Sequence, residues 1–397
     1  MPPVGLNPLA RAALRAVRAV DHAVGRMRGP LRVLVDVRTP MNLSVLRPVW
    51  SRLAADPRVR LQFTAEDTAA VAAALKGDQL DGAMISREAA AWTRFDLAIT
   101  ADAWNHTPLH RCRRRINFFH GVAGKYDLDD PAKLLGAGLH RLDRMAFINA
   151  DRLERYVAAG VITRSQAVLV GFPKADDLVN GAWPAATVRE SLGLQPGLET
   201  ILYAPTFSTA SSLHLAGEQI ITALLETGRN VIVKLHDRSA VPHEKHTGGI
   251  DWPARLAIFG GHPRYALARG AEAGPYLSAA DLLVTDHSTV GFEFALLDRP
   301  LVVYDAPALK AAARIDDGKW RLLRSMADVV DSPATLRDAV DRALADPERH
   351  RRDREQARTL FAHAGSATSR ALAVVYELLD VPMSATHALC NVEVGGS

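Results

Sequence analysis

Short runs rich in Val, Ile, Leu and Phe recur along the chain, separated by Ala- and Leu-rich stretches of helical periodicity. That alternation constrains the fold more than any other feature, because repeated strand–helix–strand units build a parallel sheet covered by helices. Strands are predicted over 31–37, 59–64, 95–100, 116–119, 145–149 and 168–170, with helices over 45–55 and 69–76. Trp183-Pro184 and Gln195-Pro196-Gly197 then punctuate 181–197. A second series follows, with strands over 201–204, 231–235, 282–285 and 301–304 and a helix over 215–226; 251–261 fits either a strand or a short helix. The expected fold is α/β, with two Rossmann-like domains facing a cleft, 29–180 and 181–345. A helix over 1–28 precedes them, and a charged tail, 346–397, follows, helical from about Ser366. A length of 397 residues accommodates two or three such domains.

Composition narrows the class. With 48% hydrophobic and 23% charged residues, disordered, collagen-like and coiled-coil chains are excluded. A net charge of +4 is too small to mark a nucleic-acid binder, and none is expected as a partner. Cys112 and Cys390 are too few for a disulfide framework or a zinc site, which points to a reducing, cytoplasmic setting. No run approaches the ~18 apolar residues that a membrane span needs. Arg11, Arg15, Arg18 and His22 interrupt any signal-peptide core. On a helical wheel these residues and Arg26 share one face, opposite Leu14, Val17, Val20, Val24 and Met27. Such a helix suits an anionic membrane interface, and it equally suits packing on the domain with solvated arginines.

In open parallel sheets ligands bind outside the carboxyl ends of the strands, so polar residues there are the candidates for chemistry. The most informative segment is 277–304, where a buried strand runs into Asp286-His287-Ser288-Thr289 and then a helix. Ser288 and Thr289 sit where free backbone N–H groups and the positive end of the helix favour phosphate. Glu293, one turn on, is placed for a ribose or polyol hydroxyl. Ordinary capping by Asp286 or Ser288 is the simpler use of the same residues. Earlier, His120 ends a strand and is followed by Gly121, with Gly124 and Lys125 beyond. Histidine is the side chain most readily used as a base near neutral pH, and glycine lets a backbone approach a substrate. The preceding Arg111, Arg113, Arg114 and Arg115 could attract an anion, though such a run is commonly a solvated face. Thr206 and the pair Lys234 and His236 end two strands of the second series and suit a diphosphate. Asp127-Leu128-Asp129-Asp130 reads as a helix start, and His243, His246 and His262 lack metal-ligand spacing, so no metal is assigned. No G-x-G-x-x-G, P-loop or G-x-S-x-G motif is present.

Taken in order, FFHGVAGK, VGFPKADDL, ILYAPTF, VIVKLH and ADLLVTDHSTVGFEFALLDRPLVVYD resemble the CDP-glycerol glycerophosphotransferase family of teichoic-acid primases and polymerases. The stretches run from Phe118 to Asp305, and the last is the most specific. The resemblance implies a GT-B fold, with an acceptor domain first and a donor-binding domain second. It implies transfer of a glycerol-phosphate-like group from a CDP-polyol donor to an acceptor hydroxyl, without a cofactor. It also implies a lipid-linked acceptor and an enzyme held at the inner membrane surface. Carried over residue by residue, His120 becomes the base, and His236 with Lys234 holds the diphosphate or assists the leaving CMP. Thr206, Ser288, Thr289 and Asp286 become phosphate-side groups, Glu293 meets a donor hydroxyl, and Gly121 and Lys125 lie on the acceptor side. Here Phe207 is followed by Ser208, where the family has an aromatic or basic residue soon after the P-T pair. His287 replaces its usual tyrosine and Glu293 its usual aspartate. A nucleotide-sugar glycosyltransferase, a sugar-nucleotide epimerase and a non-catalytic nucleotide-binding protein would share much of this pattern.

Overall fold

The computed structural model describes residues 20, 29–102, 107–135 and 138–383. The basic helix expected over 1–28 therefore lies outside the described residues except for Val20, as does Cys390.

The chain forms two compact units, one comprising residues up to His120, Leu134–Lys174 and Ala362 onward, the other Gly121–Lys133 and Ala175–Phe361. In the first unit the strands are β1 (Leu31–Val37), β2 (Val59–Ala65), β3 (Phe95–Thr100), β4 (Cys112–Phe118), β5 (Arg144–Phe147) and β6 (Ala167–Leu169). They form one parallel sheet in the order β2-β1-β3-β4-β5-β6. The second unit holds β7 (Thr200–Tyr203), β8 (Asn230–Lys234), β9 (Tyr265–Ala268), β10 (Leu282–Thr285), β11 (Leu301–Tyr304) and β12 (Asp328–Val330). Their order is β12-β11-β10-β7-β8-β9, again wholly parallel. Every residue of β3, β7, β8, β10 and β11 is buried, which is why these strands are predominantly apolar rather than alternating, with Asp96, Asn230 and Lys234 as buried exceptions.

Helices cover the sheets through their apolar stripes. In the second unit Ile220, Ile221 and Leu224 of the helix Ser212–Glu226 pack with Leu336 and Val340 of Pro333–Ala345 over Val231, Val233, Leu282 and Val284. Each such buried side chain contributes roughly 1.5–3 kcal/mol. The helix Ala367–Leu379 returns to the first unit and packs on β3, β4 and the helix Pro40–Ala54. There the Tyr376 hydroxyl donates to Asp56 at 2.7 Å, beside the Arg58–Asp56 ion pair.

β9, β12 and the start of β4 differ from expectation, and 251–261 takes one of its two expected forms. β9 and β12 escape the apolar-run criterion; both are sheet edges, paired on one side only. Residues 251–261 are a helix, Trp252–Leu256, capped by Asp251, followed by the 3-10 turn Ala257–Phe259. β4 begins at Cys112, so the basic run lies largely within a strand, where Arg114 pairs with Asp143 at 2.7 Å and Arg113 with Asp380. Among the described residues no helix is long and apolar enough to cross a membrane.

Candidate active site

In the first unit the site residue is His120, immediately beyond β4. The positive φ of Gly121, +96°, turns the chain sharply at that point, a conformation glycine adopts without strain. The Nδ1 of His120 is bonded to the backbone carbonyl of Ala101, which follows β3. A carbonyl can only accept, so Nδ1 carries the proton and Nε2 presents a lone pair. The half-buried imidazole lies at the edge of a narrow apolar slot lined by Val49, Phe119, Phe172 and Pro173, among others.

In the second unit Asp286 follows β10 and is buried, 2% exposed. Its carboxylate accepts from the backbone N–H groups of Thr206 (2.9 Å), Ser212 (3.0 Å) and His287 (2.7 Å), and from the Ser212 hydroxyl (3.0 Å). Asp286 thus ties the loop after β7 to the loop after β10. The Thr206 hydroxyl donates to the His287 carbonyl and accepts from Lys125 Nζ at 2.9 Å. Burial pushes Lys125 down to about 8, against the opposing pull of Asp286. His287 donates from Nε2 to the Ala123 carbonyl at 2.8 Å and stacks on Trp320, with ring centroids 5.4 Å apart. Burial, reinforced by Lys125, holds its imidazole at about 4.

These contacts place 121–133 with the second unit. Gly121 and Lys125 belong to the second unit, although they fall within the range 29–180 expected for the first domain. The segment is built into that unit by Tyr126 N–H donating to Ala313 and Asp316 N–H donating to Gly124, both at 2.8 Å. Gly124 has φ +64°, and a Cβ there would lie 2.7 Å from Lys319 and Asp129 side-chain atoms. Asp286 and Thr206 bond to their own chain, and the buried Lys234 ammonium donates to the Leu235 carbonyl at 2.6 Å.

His236 sits beyond β8 and caps the turn that follows, its Nδ1 accepting Arg238 N–H at 3.2 Å and lying 2.5 Å from Asp237 Oδ1, which accepts from the same N–H at 2.8 Å. Burial lowers the pKa of His236, and Asp237 raises it in opposition. The ring packs against Phe207 at 4.3 Å, and Arg238 lies over the same phenyl ring at 5.0 Å. Ser288 occupies the N-cap of the helix Thr289–Ala295 without a side-chain capping bond, and both Ser288 and Thr289 are half-buried. The expected cap is therefore unused. Glu293 lies on this helix and is 3% exposed. Asp127 pairs with Arg314, and Asp130 accepts from Ala132 N–H, as a helix-start segment does. Among the described residues no group of His, Cys, Asp and Glu is arranged to hold a metal ion.

Sequence reasoning passed over Asp237, Ser212, Trp320 and the Ala101 carbonyl. Adjacency to His236 could have flagged Asp237. The others act across long sequence separations or through backbone, where no motif signals them.

A sequence profile described as CDP-glycerol:poly(glycerophosphate) glycerophosphotransferase matches residues 148–371. That range contains Thr206, Lys234, His236 and 286–293 but begins after His120. No curated protein matches the chain. Among solved structures, the wall teichoic acid polymerase TagF is similar over 94% of this chain and 98% of its own, with 13% identity and a TM-score of 0.63. S. aureus MnaA, solved with UDP, is similar over 89% of this chain and 98% of its own, at 11% identity and a TM-score of 0.56. A UDP-GlcNAc 2-epimerase from Neisseria meningitidis is similar over 88% of this chain and 99% of its own, at 12% identity and a TM-score of 0.50. At these identities the likeness establishes the fold, α/β with two Rossmann-like units of the GT-B type.

Proposed function

The chain belongs to the CDP-glycerol:poly(glycerophosphate) glycerophosphotransferase family of transferases, and we propose that it moves glycerol phosphate, or a related polyol phosphate, from a CDP-activated donor to an acceptor hydroxyl in cell-surface polymer or glycolipid synthesis. The observation that carries this is the state of His120. With Nδ1–H held by the Ala101 carbonyl, Nε2 is free to take a proton. The acceptor oxygen attacks the phosphorus of the glycerol phosphate and loses its proton to Nε2. The bond from that phosphorus to the CMP oxygen breaks, and CMP leaves with the electron pair.

The second unit supplies the donor side. Lys125, His236, Arg238 and the hydroxyls of Ser288 and Thr289 offer cationic and hydrogen-bonding groups to a diphosphate, and Glu293 offers a carboxylate to a donor hydroxyl. Asp286 and Thr206 position those loops instead of touching phosphate. Preorganised charge of this kind is the main resource in phosphoryl transfer. TagF crystals soaked with CDPG share this fold, which favours a CDP-linked donor. A lipid-linked acceptor and loose attachment to the inner membrane face fit the basic N-terminal segment. Vesicle binding that weakens with salt, and that is lost when the chain starts at Leu31, checks that attachment.

The deciding experiment offers CDP-glycerol, other CDP-polyols and nucleotide sugars to the full chain and scores the released nucleotide. CMP from CDP-glycerol is expected. Release of a nucleoside diphosphate from a sugar donor would move the chain to sugar transfer, and binding without turnover would make it a nucleotide-binding protein.

A further inference from the structure

Asn117 is the second-last residue of β4 before His120, opposite Thr100 of β3 in the strand register, and is fully buried. Central parallel strands are ordinarily filled by apolar β-branched residues, so a buried amide there calls for a use. Its Nδ2 donates to the Thr100 hydroxyl at 2.8 Å and to the Asp102 carbonyl at 2.6 Å. Its Oδ1 has no partner among the described residues. What the position uses is therefore the NH2 group, and both of its protons go to the residues on either side of Ala101. Ala101 is the residue whose carbonyl receives His120 Nδ1–H.

We propose that Asn117 is a positioning residue that fixes the tautomer of His120 by clamping the Ala101 carbonyl beneath Nδ1; this rests on His120 being the base. A free histidine side chain in water prefers its proton on Nε2, which is the nitrogen the reaction needs empty. A carbonyl held at Nδ1 reverses that preference, because only the Nδ1–H form satisfies it. One bond fixes the Thr100 hydroxyl and the other the Asp102 carbonyl, so the residues on both sides of Ala101 are held and its carbonyl keeps its aim. Asn117→Asp preserves size and strand packing but replaces the donating NH2 by an oxygen that cannot donate, releasing both clamps.

The test reads the imidazole directly. In full-length protein labelled with 15N-histidine, His120 is assigned by the signal missing from His120→Ala, and its two nitrogens report which carries the proton. The wild type is expected to show Nδ1–H at pH 7.5. Asn117→Asp and Asn117→Ala are expected to shift toward Nε2–H. CMP release from CDP-glycerol with an oligo(glycerol phosphate) acceptor should then fall about 10–100-fold in kcat, with donor KM changed less than about threefold. A wild-type His120 protonated on Nε2 overturns the assignment, and so does a variant that loses kcat while keeping the Nδ1–H tautomer. If the variants shift the tautomer but His120→Ala retains full turnover, the clamp stands and the base assignment falls.

Discussion

In the first unit His120 is steadied by one backbone carbonyl, whereas in the second unit Asp286, Thr206, His287 and Lys125 are bound to one another in a closed set of side-chain and backbone bonds. Both groups sit at the carboxyl ends of parallel strands in sheets of six. The contrast teaches that similar scaffolds can be spent differently. On His120, the proposed base, Nδ1 is held by the Ala101 carbonyl, which leaves the lone pair on Nε2. In the second unit Asp286, Thr206 and Lys125 are tied to one another's loops, at some cost in adaptability. Substitutions in the first unit should therefore remove rate, and substitutions in the second should remove stability or binding.

The sharpest break would come at His120. His120→Ala should lower turnover by ~10²–10⁴-fold while calorimetric donor affinity stays near wild type. Loss of donor binding in that variant would erase the distinction between the two units. Next comes Asp286→Ala, which strands three buried backbone N–H groups and a hydroxyl. Urea unfolding should show a loss of about 3–5 kcal/mol, and a loss under 1 kcal/mol would mean the hub is dispensable.

A third effect follows from His287. Its folded pKa of about 4 lies below the ordinary 6.5, so between those values the unfolded chain binds the extra proton and stability rises with pH. Acidification through that window should cost up to about 3 kcal/mol, and His287→Phe should flatten the slope of stability against pH. Equal slopes in both proteins would place the acid sensitivity elsewhere. The smallest effect is expected for Ser288→Ala combined with Thr289→Ala. Donor Kd should rise roughly tenfold, about 1.4 kcal/mol, with little change in melting temperature. An unchanged Kd would leave the cradle to the cations alone.

How far the sequence could be read follows the same division. Strands such as β3, β8, β10 and β11 announce themselves because burial on both faces demands predominantly apolar runs. β9 and β12 do not, since an edge strand is specified as much by its single neighbour as by its own residues. Tyr-Ala-Leu-Ala and Asp-Val-Val carry little strand signal of their own. His120, His236 and the turn after β10 were visible as polar groups ending apolar runs. That Lys125 meets Thr206 was not, because 81 residues separate them and no local pattern encodes the meeting. The clamp of Ala101 by Asn117 was hidden for a different reason, since a backbone carbonyl has no letter in the sequence.

The stretch 121–133 leaves the first sheet, completes the second unit and hands the chain back, so neither unit is a contiguous piece of the polypeptide. A fragment expressed from Ala175 to Phe361 would lack the Ala123 and Gly124 carbonyls that receive His287 Nε2 and Asp316 N–H, and the carboxylate that pairs with Arg314. Such a fragment should behave as an incomplete fold, exposed to proteases around Trp320. Chimeras that exchange the second unit between relatives would need to move 121–133 and 175–361 as a single set.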